Sequence, residues 1–166
     1  MTATATKKAP SELTKKRARI AIAKDVLKQL RYLTVERGYY FYVPYSSKSK
    51  LLEKNYAEDA QKHVPLLKRD CRVCALGACM ISHVKLFDDC NLKPFLNNDR
   101  PDNQLGKWFS QEQLDMIEFA FETSPDGDYY GDHCISHQFG ARFANHKERL
   151  RAIMKNIVAN DGEFKP

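Results

Sequence analysis

Residues 70–87 read DCRVCALGACMISHVKLF, and how this stretch is read decides the fold. Taken as a helix, it places Val73, Gly77, Met80, Val84 and Phe87 on one line, Cys74, Ala78 and Ile81 on a second, and Ala75, Cys79 and Leu86 on a third. A helix that is apolar on every face through its first turns has no side suited to water, so it belongs in the interior with other elements around it. Ala75, Gly77 and Ala78 would let those neighbours approach closely. The stretch also holds Cys71, Cys74 and Cys79, three of the five cysteines of the chain, and raises the question whether these thiols serve packing, a metal or a reaction.

Upstream, Ser11 can cap a helix running to about Thr34, in which Ile20, Ala23, Val26, Leu27, Leu30 and Leu33 recur at the spacing of one apolar face. Gly38 closes that region, and Tyr39-Tyr40-Phe41-Tyr42-Val43, stopped by Pro44, reads as a short strand. Residues 46–63 are polar, with a short helix open to them from Leu51 to Lys62, and Pro65 breaks whatever precedes it.

Downstream, residues 88–109 read as loop. Ser110-Gln111-Glu112-Gln113 is a capping box opening a helix whose Leu114, Ile117 and Phe121 share a face. Residues 123–144 read as irregular, with a turn at Ser124-Pro125-Asp126-Gly127-Asp128. Asn145 and Glu148 form a second box, ahead of an amphipathic stripe of Leu150, Ile153, Met154, Ile157 and Val158 that Gly162 ends.

The expected fold is mainly α, of the α+β kind, with about four principal helices and one short strand or hairpin near residues 39–44. Residues 1–10 read as a flexible basic tail and residues 11–166 as a single globular domain, long enough to bury a core without disulfides or metal. The regular strand–helix alternation of a nucleotide-binding fold is missing. No apolar run approaches the roughly 20 residues of a membrane span, and the N-terminus lacks the apolar segment of an export signal. The expectation is therefore a cytoplasmic protein with no membrane partner and reduced thiols.

Charge is unevenly spread. Residues 1–31 hold nine Lys or Arg against Glu12 and Asp25, whereas the remaining 135 residues hold 18 basic and 19 acidic. The whole basic excess sits in one N-terminal arm, where Arg17, Lys24, Lys28 and Arg31 fall on a ridge separate from the apolar face. Such a ridge suits an acidic protein surface or a nucleic acid, and Tyr40 and Tyr42 beside Lys48, Lys50 and Lys54 would add stacking or anchoring groups. A solvated helix face and an aromatic core strand are the plainer alternatives.

Cys71-x-x-Cys74 and His133-x-x-x-His137 together match the ligand types and local spacings of a zinc site. The 58 residues between the pairs are far more than a compact zinc module uses, and Cys74 opens into an apolar helical run rather than a knuckle. A thiol-dependent enzyme is the other rival, because Cys71 near a helix start, or Cys134 between His133 and His137, could be activated by charge or a base. Phosphate-binding Gly loops, H-E-x-x-H and G-x-S-x-G are all absent. Asp126, Asp128 and Asp132 lack the closing glutamate of a calcium loop and read as a solvated turn.

The run Cys71-x-x-Cys74-Ala75-Leu76-Gly77-Ala78, with Arg149-Leu150-x-Ala152-Ile153-Met154-x-Asn156-Ile157 and Asn160-x-Gly162-x-Phe164-x-Pro166, resembles small uncharacterised proteins of bacteriophage and prophage genomes. The resemblance covers residues 18–166 in order of elements and carries no activity. It implies a phage accessory or counter-defence protein, acting in the bacterial host cytoplasm by binding a host component. The leading expectation is thus a non-enzymatic binding protein using its basic N-terminal helix, with the Cys/His set as the rival.

Overall fold

The structure is a computed structural model and describes residues 11–45, 60–87, 97–123 and 134–166. Among these are seven helices and a small sheet: α1 (Glu12–Gln29), α2 (Ala60–Asp70), α3 (Ala75–Phe87), α4 (Asp102–Leu105), α5 (Gln111–Glu122), α6 (Cys134–Ala141) and α7 (His146–Ala159), with strands β1 (Thr34–Val35), β2 (Phe41–Tyr42) and β3 (Arg72–Val73). The fold is mainly helical with an α+β element. The four expected helices are α1, α3, α5 and α7, and β2 lies where the aromatic strand was expected.

The central helix is α3, and every residue from Ala75 to Val84 is buried. Apolar faces of α1, α2, α4 and α5 close around it. Gly77 is needed there for close approach: a β-carbon on it would stand 2.0 Å from the Tyr40 carbonyl oxygen of the strand segment above. A second such contact joins α5 to α6, where a β-carbon on Gly140 would stand 1.9 Å from the Ala120 carbonyl oxygen.

The helix does not begin at Asp70, however. Cys71 follows the last residue of α2, Arg72 and Val73 form β3, and Cys74 stands just before α3, accepting the Ala78 N–H on its carbonyl at 3.0 Å. Cys71 and Cys74 are therefore not on adjacent turns of one helix. The cause is non-local. β3 is the middle strand of the order β1-β3-β2, parallel to β1 and antiparallel to β2, with Glu36 N–H donating to the Val73 carbonyl and Cys74 N–H to the Tyr39 carbonyl, both at 3.0 Å. Two distant segments supply the hydrogen bonds that a helix would otherwise supply to itself.

Four further expectations are corrected. Pro65 does not break a helix but lies inside α2. An interior proline costs about 3 kcal/mol, while full burial of side chains such as Val64 and Leu67 returns about 1.5–3 kcal/mol each, and both are buried in the core. Residues 123–144 are not irregular throughout, because α6 occupies Cys134–Ala141, and the loop reading of 88–109 misses α4. Ser110 caps α5 by accepting from Gln113 N–H, but the Gln113 side chain does not complete the box. Its amide instead brackets the backbone of Phe164, receiving the N–H at 2.6 Å and donating to the carbonyl at 3.2 Å. Asn156 on α7 does the same for Lys165, at 2.8 and 2.7 Å. These two brackets hold the C-terminal segment so that Phe164 enters the core.

The expected tail at 1–10, the upstream part of the Leu51–Lys62 helix, Lys48, Lys50 and Lys54, the turn at 124–128 with Asp126, Asp128 and Asp132, and His133 all lie outside the described residues.

Candidate binding surface

The inner side of α1 carries Ile22, Ala23 and Val26, all fully buried against the rest of the fold. With about 100° between successive helix residues, positions 17, 24 and 28 fall on the opposite side, and Arg17, Lys24, Lys28 and Arg31 are all exposed. At a rise of about 1.5 Å per residue the line spans roughly 20 Å. The core face is centred on Ile22, Val26 and Leu30 rather than on Ile20 and Leu27, which are only half-buried.

The other described cations of the arm have partners within the molecule. Lys15 pairs with Glu12 at 2.8 Å and Lys16 with Asp161 at 3.0 Å. Arg19 is buried and donates to the Trp108 carbonyl at 2.9 Å. Among the described residues Arg17, Lys24 and Lys28 have no ion pair, and Arg31 has only the Tyr32 ring, whose centroid lies 4.6 Å below its guanidinium. Like charges at i and i+4, as at Lys24 and Lys28, cost a helix about 0.2–0.5 kcal/mol. No ion pair among the described residues offsets that repulsion; only the position of Lys28 in the last turn of α1, at the negative end of the helix dipole, does.

Beside it, Asp25 is buried and receives the Lys85 ammonium from α3 and the Gln29 amide at 3.0 Å. Gln29 also donates to Ser82 on α3. Lys68 of α2 faces the same group: burial first, and then the nearby Lys85 charge, push its ammonium below the ordinary lysine range. Lys85 is the ion-pair partner of Asp25, and Lys68 lies close enough to feel both charges, leaving a positive excess next to the ridge.

The third component is the open face of the sheet. Thr34, Arg72 and Tyr42 are directly opposed across the three strands and are all exposed, whereas the neighbouring row of Val35, Val73 and Phe41 faces the core. Residues opposed across a ladder point to the same side. The Arg72 guanidinium sits 5.4 Å from the Tyr42 ring centroid and donates to Glu36 at 3.0 Å. Tyr39 stacks on Tyr42 in a tilted pair at 5.4 Å. Tyr32, Tyr39 and Tyr42 are each 41–58% exposed, far more than an aromatic side chain serving the core. Tyr40 differs. It is half-buried, its hydroxyl donates to Glu118 of α5, and burial followed by that carboxylate raises its pKa.

Of the four Cys/His residues, Cys71 and Cys74 are buried free thiols. Burial pushes Cys71 and Cys79 up to about 12, and Cys74 is raised as well despite the Gly77 and Leu76 N–H groups directed at it. Thiols held protonated in this way are poor nucleophiles at neutral pH. His137 is half-buried on α6, with its Nδ1 3.1 Å from Thr123 Oγ1 and its ring 5.4 Å from that of Phe119. Among the described residues no group of three or more His, Cys, Asp or Glu is placed to hold a metal.

No family model, curated protein or solved structure matches this chain. No helix among the described residues is long and apolar enough to cross a membrane.

Sequence reading missed Arg72, Tyr32, Lys68 and Lys85. A helical reading of Cys71–Cys74 hides Arg72; as a strand pair, Arg72-Val73 alternates, Arg72 outward and Val73 inward. Lys68 and Lys85 carry no local signal, since only the packing of α3 on α1 brings Lys85 to Asp25, and that of α2 on α3 brings Lys68 near them.

Proposed function

We propose that this chain is a non-enzymatic binding protein whose basic α1 ridge engages an acidic partner. The observation that carries this reading is the separation of cations by fate. Lys15, Lys16 and Arg19 are tied to the protein itself, while Arg17, Lys24 and Lys28 stand exposed without an ion pair among the described residues. Unpaired cations spaced along one helix face attract a polyanion at long range and release its counterions on contact. Lys68 and Lys85 extend the same field across the α1–α3 junction. A phage accessory or counter-defence role suits a small protein of this kind and rests on the sequence resemblance.

The test is binding of polyglutamate and of an oligonucleotide by the full chain, followed by fluorescence anisotropy as salt is raised. Affinity for at least one polyanion should fall steeply with salt, and Lys24→Glu with Lys28→Glu should weaken it more than 10-fold while the circular dichroism spectrum stays unchanged. Equal binding by the double variant would overturn the reading. Stoichiometric zinc in the purified protein would move attention to Cys71, Cys74, His133 and His137.

A further inference from the structure

The acidic partner can be narrowed by what stands next to the ridge. Arg31 and Tyr32 follow directly on α1, and two residues later Thr34 begins the exposed row that crosses β1, β3 and β2 through Arg72 to Tyr42. Neighbouring strands lie about 4.8 Å apart, so Tyr42 is about 10 Å from Thr34. The cationic line thus runs at its end into a face bearing Tyr32, Tyr42 and Tyr39, two of them paired with arginines at 4.6 and 5.4 Å.

This combination is selective. Exposed tyrosines also serve protein interfaces, but here two of the three have an arginine at the ring, at the end of a cationic line, which is the arrangement that receives bases and phosphates together. Here the exposed large apolar residues between 31 and 45 are all tyrosines. Duplex nucleic acid offers phosphates but keeps its bases stacked on each other. Single strands offer both phosphates and open base faces, and aromatic rings beside arginines are suited to receive those faces.

We propose that the partner is a single-stranded nucleic acid, with phosphates along Lys24, Lys28 and Arg31 and bases stacked at Tyr32 and Tyr42. This rests on the reading of the ridge as an anion-binding surface. Tyr40 is left out because its hydroxyl is committed to Glu118. Glu36 is the acidic residue on this face, and it orients Arg72 over Tyr42 rather than meeting the strand.

The test uses the full chain and fluorescein-labelled oligothymidylate, a duplex of matching length, and polyglutamate. Oligothymidylate should bind more tightly than the duplex. Tyr42→Ala and Tyr32→Ala should each weaken it roughly 10-fold, with the salt dependence unchanged because no phosphate contact is lost, and Tyr42→Phe should restore binding. Both tyrosines are exposed, so the variants are expected to fold, and circular dichroism checks that. Binding of polyglutamate without oligothymidylate overturns this inference and leaves the ridge reading standing. Equal affinity for duplex and single strand, or oligothymidylate binding indifferent to both alanine variants, overturns base stacking. Failure of all three polyanions to bind overturns both readings.

Discussion

Two regions of this molecule are built around cations, and they treat them in opposite ways. On the outer side of α1, Arg17, Lys24 and Lys28 stand in water with no ion pair among the described residues. At the junction of α5, α6 and α7, Arg149 is buried and gives all its reach to backbone: to the Phe121 and Thr123 carbonyls at 2.7 and 2.9 Å and twice to the Phe143 carbonyl, at 2.8 and 3.2 Å. Phe121 and Thr123 lie at the C-terminal end of α5, where helix carbonyls lack partners and the dipole is negative. Arg149 is thus a cap contributed by another helix. A count of basic residues therefore says little about binding, and the partner each cation already has says much more.

The contrast can be broken most severely at Arg149. Arg149→Ala removes the cap and leaves the carbonyls it served buried, and is expected to cost about 3–5 kcal/mol, read as a fall in the urea midpoint. Arg149→Lys should recover less than half of that, because an ammonium lacks the fork that reaches three carbonyls. Full stability in either variant would remove Arg149 from the structural side of the comparison.

The packing around that cap is tested next at Gly140→Ala. Its new β-carbon would overlap the Ala120 carbonyl, so α6 must shift away from α5, at a cost of about 1–3 kcal/mol or more. Thermal unfolding should show it, and an unchanged midpoint would mean that the helices are not in close contact.

Glu122, also at this end, gives a smaller and pH-dependent effect. It accepts the Gly38 N–H at 2.8 Å, and burial, aided by Glu118, raises its pKa from 4.5 to about 7 against the opposing pull of Gly38, Arg37 and Arg149. Between these two values the folded protein holds a proton that the unfolded chain has released, so this group makes stability fall as pH rises through that window. Glu122→Gln should flatten the fall and leave the variant more stable at pH 8, on the order of 1 kcal/mol with solvent screening of a half-buried group. Urea midpoints across that range test it, and an equally steep decline in the variant would exclude Glu122 as its source.

The ridge is expected to give the smallest stability effect of all. Lys24→Glu with Lys28→Glu should change unfolding free energy by less than about 0.5 kcal/mol, while weakening polyanion binding more than 10-fold. A large loss of stability would place these lysines with Arg149 rather than opposite it.

Much of the fold was legible because it is carried by local pattern. The apolar spacing of Leu150, Ile153, Met154 and Ile157 dictates α7 whatever surrounds it, and Ser11, Ser110 and Asn145 each cap the helix their position announces. What escaped was decided by distant partners. Gln113 reads as the second half of a capping box, but Phe164 offers its amide a buried backbone to bracket. Arg72 and Val73 look helical beside α3, but β1 and β2 converge on them from either side.

The binding surface divides in the same way. The sequence by itself determined that α1 would bury Ala23 and Val26 and turn Arg17, Lys24, Lys28 and Arg31 outward, because helical periodicity settles which residues share a face. Only the tertiary structure decided which of the described cations remain without an ion pair, that Lys85 reaches Asp25, and that Arg72 lies over Tyr42. Ion pairing and ring contact depend on distances between elements far apart in the chain, and periodicity within one element contains no such distance.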